Sequence, residues 1–228
     1  MTSNTSAANF ARAAALVAGT SYLYVVIANI HAPWAIAWKG AGVGLLASYA
    51  VMKARSSDGW LIAAVMALGA LGDVLLDINF TAGALGFAAG HLVAMGLYRR
   101  NVRASLTGSQ KALAVAVLAG VPLISWLLTN KADVTFYALL LGGMAATAWT
   151  SRFPRYRTGL GAMMFAASDL LIFARMGPLH GSLLASIGVW VLYFGGQYLI
   201  ADGVVRTLER AEDQVGRTDR TADIGSVA

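Results

Sequence analysis

Cysteine is absent from this chain, which excludes disulfides, thiolate metal sites and a Cys nucleophile, and leaves no redox compartment to infer. Charge is scarce: Asp, Glu, Lys and Arg together make up 12% of the residues, against about a quarter in an ordinary soluble domain. Common soluble-enzyme signatures are also missing. There is no G-x-S-x-G elbow, no H-E-x-x-H zinc helix, and no phosphate-binding glycine loop closing on a lysine. Nucleophilic serine chemistry therefore has no support.

What fills the space instead is apolar. Of 228 residues, 58% are hydrophobic and the mean hydropathy is +0.65, so water is the wrong solvent for most of the chain. A membrane helix needs roughly 20 mostly apolar residues. Apolar runs bounded by charges or by Gly/Pro punctuation fall at Asn9–Ile30, Trp34–Met52, Trp60–Ile78, Thr81–Tyr98, Lys111–Thr129, Val134–Thr150, Thr158–Met176 and Gly181–Ala201. The expectation is an all-α integral membrane protein with eight transmembrane helices forming a single domain over residues 1–201. The first run has only Arg12 as a basic flank and no small-residue cleavage site, so it reads as helix one rather than a signal peptide.

The net charge of +6 does not point to nucleic acid, because the cations lie between apolar runs rather than on one basic face interleaved with aromatics. Lys53 and Arg55 follow helix two, Arg99, Arg100 and Arg103 follow helix four, and Arg152, Arg155 and Arg157 follow helix six. The alternate loops offer only Lys131. By the positive-inside bias both termini are expected in the cytoplasm, which for a bacterial chain means a multi-pass protein of the inner (cell) membrane. Residues 202–228 carry mixed charge and read as a cytoplasmic tail, a short solvated helix fraying into disorder, with Asp202 solvated at its start.

The halves rhyme. Gly72-Asp73-Val74-Leu75-Leu76 in helix three resembles Ser168-Asp169-Leu170-Leu171-Ile172 in helix seven, and Phe87-x-x-Gly90-His91 in helix four resembles Tyr193-x-x-Gly196-Gln197 in helix eight. The pattern suggests a parallel four-plus-four duplication.

An ionisable side chain at the centre of a membrane helix costs about 2.5 to 3.5 kcal/mol, so each is by default paired inside the bundle or functional. Six stand out: Lys39 in helix two, Asp73 and Asp77 in helix three, His91 in helix four, and Asp169 with Arg175 in helix seven. At a rise of about 1.5 Å per residue, Asp73 and Asp169 lie about 18 to 20 Å from the cytoplasmic ends of their helices. Lys39 falls in the same outer half, His91 near mid-membrane, and Asp77 one turn above Asp73. These residues can converge on one cavity open to the non-cytoplasmic side. Structural roles compete for several of them: Lys39 can neutralise one aspartate, Arg175 can snorkel to the interface, and His91 can be a satisfied core histidine. Tyr22, Tyr24 and Trp34 fit an interfacial aromatic belt. Gly40, Gly42 and Gly44 suit close packing of helix two against a neighbour. Carboxylate acid/base chemistry or ion binding in a membrane cavity is what remains.

Gly72-Asp73, Phe80 with Gly83, Phe87 with Gly90-His91, Ser168-Asp169, and Tyr193 with Gln197 together resemble the YhhN-type lysoplasmalogenase family of membrane proteins. Lys39 resembles a family lysine, although Gly40 follows it where the family usually has proline, and Ala94 stands where a tyrosine is expected one turn after the histidine. The resemblance implies an enzyme that hydrolyses the vinyl ether bond of a lysoplasmalogen, releasing a fatty aldehyde and a glycerophospho-base. Asp73 and Asp169 would be its catalytic pair, one protonated and one ionised. Lys39, Asp77, His91, Ser168, Tyr193 and Gln197 would bind or orient substrate. No cofactor and no metal are expected, and the partners implied are a lysophospholipid and the surrounding membrane lipids. The same carboxylates and histidine also suit a proton- or ion-coupled transporter, which stands as the alternative.

Overall fold

Several helices begin where the sequence supplies a side-chain acceptor for their free N–H groups. Ser56 Oγ accepts from Gly59 N at 3.3 Å, Asn79 Oδ1 accepts from Ala82 N at 2.9 Å, and Thr107 forms a capping box with Gln110. Pro33 at the first turn of the second helix starts that one, since its missing N–H would be unpaired there anyway. A computed structural model describes residues 2–225, with side chains described over 5–214. Its helices are α1 Thr2–Ile27, α2 Pro33–Lys53, α3 Ser57–Ile78, α4 Phe80–Arg100, α5 Gly108–Thr129, α6 Ala132–Thr150, α7 Leu160–Arg175 and α8 Leu183–Gly225. A π-helical turn, Arg155–Gly159, feeds directly into α7.

All eight apolar runs are helical, and seven of the helices are long and apolar enough to cross a membrane. The remaining one, α6, holds Asp133, Tyr137 and three threonines within 19 residues, which dilutes its apolar length. The chain is thus an all-helical, multi-pass membrane protein.

Neighbour packing runs α2–α3, α3–α4, α4–α6, α6–α7, α7–α8 and α8–α2, closing a ring of six helices. Outside the ring, α1 lies against α2 and α8, and α5 lies against α6 and α7. The ring therefore takes three consecutive helices from each half. Small residues allow its close approaches, as expected for α2: a Cβ on Gly40 would come within 2.7 Å of Val74 on α3, and one on Gly42 within 3.2 Å of Phe194 on α8.

At one end of the ring the basic connections gather. Arg152 N donates to Asn101 O and Arg103 N donates to Thr150 O, tying the α4–α5 and α6–α7 connections together. Here α8 continues without a break past Ala201 to Gly225. Asp202, expected in solvent, is instead 2% exposed, because it accepts from Arg12 at 2.9 Å, from Arg206 at 2.7 Å and from Arg157. Three guanidiniums on three elements compensate one buried carboxylate and clamp α1, the π-helical turn and α8 together. Lys53 to Glu209, at 2.7 Å, adds a bond between α2 and α8. Of the expected frayed tail, residues 226–228 lie outside the described residues.

Candidate active site

A cavity of about 340 Å³ occupies the ring at the end opposite the basic connections, next to the short α3–α4 and α5–α6 turns. Asp73 and Asp169 both line it. Each sits on a helix that the ring holds on two sides, so neither can rotate towards water, and each is nearly inaccessible, at 1% and 6% exposed. A buried carboxylate needs donors, and here each has a phenol. Tyr193 of α8 donates to Asp73 Oδ2 at 2.7 Å, and Tyr137 of α6 donates to Asp169 Oδ2 at 2.6 Å.

Behind each phenol stands a second polar group. Gln197 Nε2 donates to Tyr193 Oη at 3.4 Å, one helical turn away on α8. His91 Nε2 lies 3.1 Å from Tyr137 Oη. Because Tyr137 spends its own proton on Asp169, its oxygen is the acceptor for His91, which fixes the proton on Nε2. The two chains are thus Asp73–Tyr193–Gln197 and Asp169–Tyr137–His91. Each begins on one half of the molecule and ends on a helix of the other. Between them Phe87 and Phe165 pack edge-on, with ring centroids 5.8 Å apart, and both contact Tyr193. Gly72 makes this possible: a Cβ there would lie 2.8 Å from the Phe87 ring.

The remaining predicted residues divide. Lys39 lines the cavity but its ammonium pairs with Asp77 Oδ1 at 2.9 Å, so the aspartate that Lys39 neutralises is the outer one. Asp77 itself is partly exposed, at 36% of its side chain. Ser168 lines the cavity, yet its hydroxyl donates to Val189 O at 3.0 Å and joins α7 to α8. His91 and Gln197 stand away from the main cavity and border a smaller one of about 20 Å³, so they reach the aspartates only through the tyrosines. Among the described residues no group of three His, Asp or Glu side chains converges as a metal site would require.

Tyr137 escaped the sequence reading. Its one signal is a phenol inside an otherwise apolar run, which wants a hydrogen-bond partner once buried. Trp190, which also lines the cavity, donates to Gly19 O at 2.7 Å. Tyr22, expected in an interfacial belt, is buried and packs at a tilt against Trp190 with centroids 4.3 Å apart, whereas Tyr24 and Trp34 are exposed.

The chemistry available is that of two carboxylates facing one apolar space, each oriented by a single strong donor and shielded from bulk water. The YhhN family model matches residues 34–204, which takes in every residue of the two chains. Proteins named lysoplasmalogenase from Mycobacterium bovis and Mycobacterium tuberculosis are each 30% identical to this one over 203 residues, spanning 83% of this chain and 77% of theirs. No solved structure matches the chain.

Proposed function

Because this chain belongs to the YhhN family, we propose that its cavity hydrolyses the vinyl ether bond of a lysoplasmalogen, and that Asp73 and Asp169 carry the reaction. The observation that carries the reading is the pair of carboxylates lining one apolar cavity, each with a phenol as its hydrogen-bond donor. The names of the mycobacterial relatives support the substrate class.

Vinyl ether cleavage begins when a proton is delivered to the β-carbon, leaving an oxocarbenium ion at the α-carbon. Water attacks that ion, its proton passes to a base, and the hemiacetal collapses to an aldehyde and the glycerol hydroxyl. One acid and one base suffice, and the cycle leaves them exchanged until the proton returns from the base to the acid. Two aspartates on opposite walls of one cavity match this requirement. The carboxylate that remains ionised also stabilises the adjacent cation in a largely apolar space where water screens it less than in bulk. Lys39, at the edge of the cavity beside the exposed Asp77, suits the substrate phosphate. Tyr193, Tyr137, Gln197 and His91 orient the carboxylates, and Ser168 holds α7 to α8.

The orientation that goes with this reading has the basic end of the ring in the cytoplasm and the cavity in the opposite leaflet, supported by the gathering of Arg and Lys at one end. A four-plus-four duplication is supported by the ring's make-up and by the crossed pairing of the two aspartate chains.

The test is aldehyde release from a panel of lysolipids by the purified protein in lipid nanodiscs. Asp73→Asn and Asp169→Asn should each lower kcat by about two orders of magnitude or more while the protein stays monodisperse. Full activity in both variants would sink the reading. Lysolipid flux across proteoliposomes without aldehyde would favour the transporter instead.

A further inference from the structure

The wall of the cavity is not equally sealed all round. Two of its lining residues, Leu85 on α4 and Phe136 on α6, are 67% and 66% exposed on the outside of the molecule. A side chain that borders an internal space and is also two-thirds exposed stands on the rim of an opening. Phe80 on α4 and Asp133 on α6 border the same cavity nearer the end of the ring and are exposed as well. The opening is therefore a slot along the α4–α6 seam, running from the aqueous end into the flank that faces lipid. Its lower limit is the hydrogen bond from His91 on α4 to Tyr137 on α6.

The packing of the two outer helices explains why this seam and not its counterpart is open. On the opposite side of the ring, the α2–α8 seam is covered by α1, which lies against both helices. There Trp38 of α2 donates to Ala18 O at 3.1 Å and Trp190 of α8 donates to Gly19 O at 2.7 Å. By contrast α5 packs against α6 and α7, and among the described residues it makes no backbone approach to α4. The α4–α6 seam is left to the lipid.

We propose that this slot is the lateral portal of the enzyme, admitting the single hydrocarbon chain of a lysolipid from the outer leaflet. The chain then lies between α4 and α6, and the head group points across the ring towards Lys39. The inference rests on the hydrolase reading above for the identity of the substrate, but the portal itself rests on exposure and packing. It gives selectivity for one chain a physical cause: a diacyl lipid would have to place a second tail in the same slot rimmed by Leu85 and Phe136, whereas a lysolipid slides in without leaving the plane of the membrane.

Because the chain contains no cysteine, a pair of introduced thiols can be addressed cleanly. The double variant Leu85→Cys, Phe136→Cys in nanodiscs would be bridged with a cleavable bis-thiosulfonate linker. Aldehyde release is then compared between a long-chain lysoplasmalogen and a short-chain, water-soluble vinyl ether. Bridging should lower the long-chain to short-chain rate ratio by about tenfold or more, and cleaving the linker should restore it. An unchanged ratio, or equal loss of both activities, would overturn the portal. In parallel, a lysolipid carrying a photoactivatable group at the end of its tail should label α4 and α6. Labelling of α1, α2 or α8 in their place would count against it. Labelling of the seam in a protein that releases no aldehyde would uphold the portal and refute the hydrolase reading, so the two stand or fall separately.

Discussion

Tyr193 reaches from α8 to Asp73 on α3 and donates to it at 2.7 Å, and its own oxygen accepts from Gln197 one turn further along α8. The bond ties together helices far apart in sequence, on the helix that also carries the buried Asp202. Tyr137 does the same for Asp169 from α6, with His91 behind it. A short phenol-to-carboxyl bond of this kind fixes the orientation of the carboxyl group that accepts it.

Tyr137→Phe and Tyr193→Phe should accordingly lower kcat by about tenfold or more, with KM little changed, since the lost group orients the reacting carboxylate. Stability should fall by only about 0.6 to 2 kcal/mol, the range for a hydrogen bond between membrane helices. Steady-state aldehyde assays and thermal unfolding of the same preparations check both halves. A change confined to stability would reduce the tyrosines to scaffolding.

Lys39→Met and Asp77→Asn separate the two halves of one ion pair, joined at 2.9 Å. Removing the lysine should raise KM for a phosphate-bearing lysolipid by about tenfold, because a charged hydrogen bond is worth about 1.5 to 3 kcal/mol. Removing the aspartate frees the ammonium and should leave KM unchanged or lower. Equal losses in both variants would show that the pair matters only as a unit.

Gly161→Ala and Gly69→Ala should differ in kind. A Cβ on Gly161 would lie 2.6 Å from Gly196 O, a backbone atom of α8, so α7 must shift and take Asp169 with it. A loss of about 1 to 3 kcal/mol is expected. On Gly69 the Cβ meets the Gln197 amide at 2.7 Å, the far end of a side chain, so stability should change by less than about 1 kcal/mol while Tyr193 loses its donor. Unfolding midpoints alongside kcat distinguish the two.

Asp202→Asn leaves Arg12, Arg157 and Arg206 facing a neutral amide at the basic end. The bundle should lose about 2 to 3 kcal/mol, with kcat and KM on the remaining folded protein unchanged, as the cavity lies at the other end. A shift in KM would mean that this end of α8 communicates with the site.

What the sequence determined by itself follows from costs that are local to one helix. Apolar length fixed the runs that became helices, the alternation of cations fixed which connections gather at one end, and the expense of a carboxylate in hydrocarbon singled out Asp73 and Asp169. The short motifs around those aspartates were enough to suggest the family. The tertiary structure decided everything that depends on the rotational phase of one helix against another. It chose Asp77 over Asp73 as the partner of Lys39, brought Tyr137 out of an apolar run to serve Asp169, and set His91 and Gln197 behind tyrosines rather than in the cavity. It also buried Asp202 and drew α1 across one seam of the ring while leaving the other uncovered. A hydrogen bond needs two groups within about 3 Å, and a pattern along one strand of sequence carries no information about that distance across a ring of six helices.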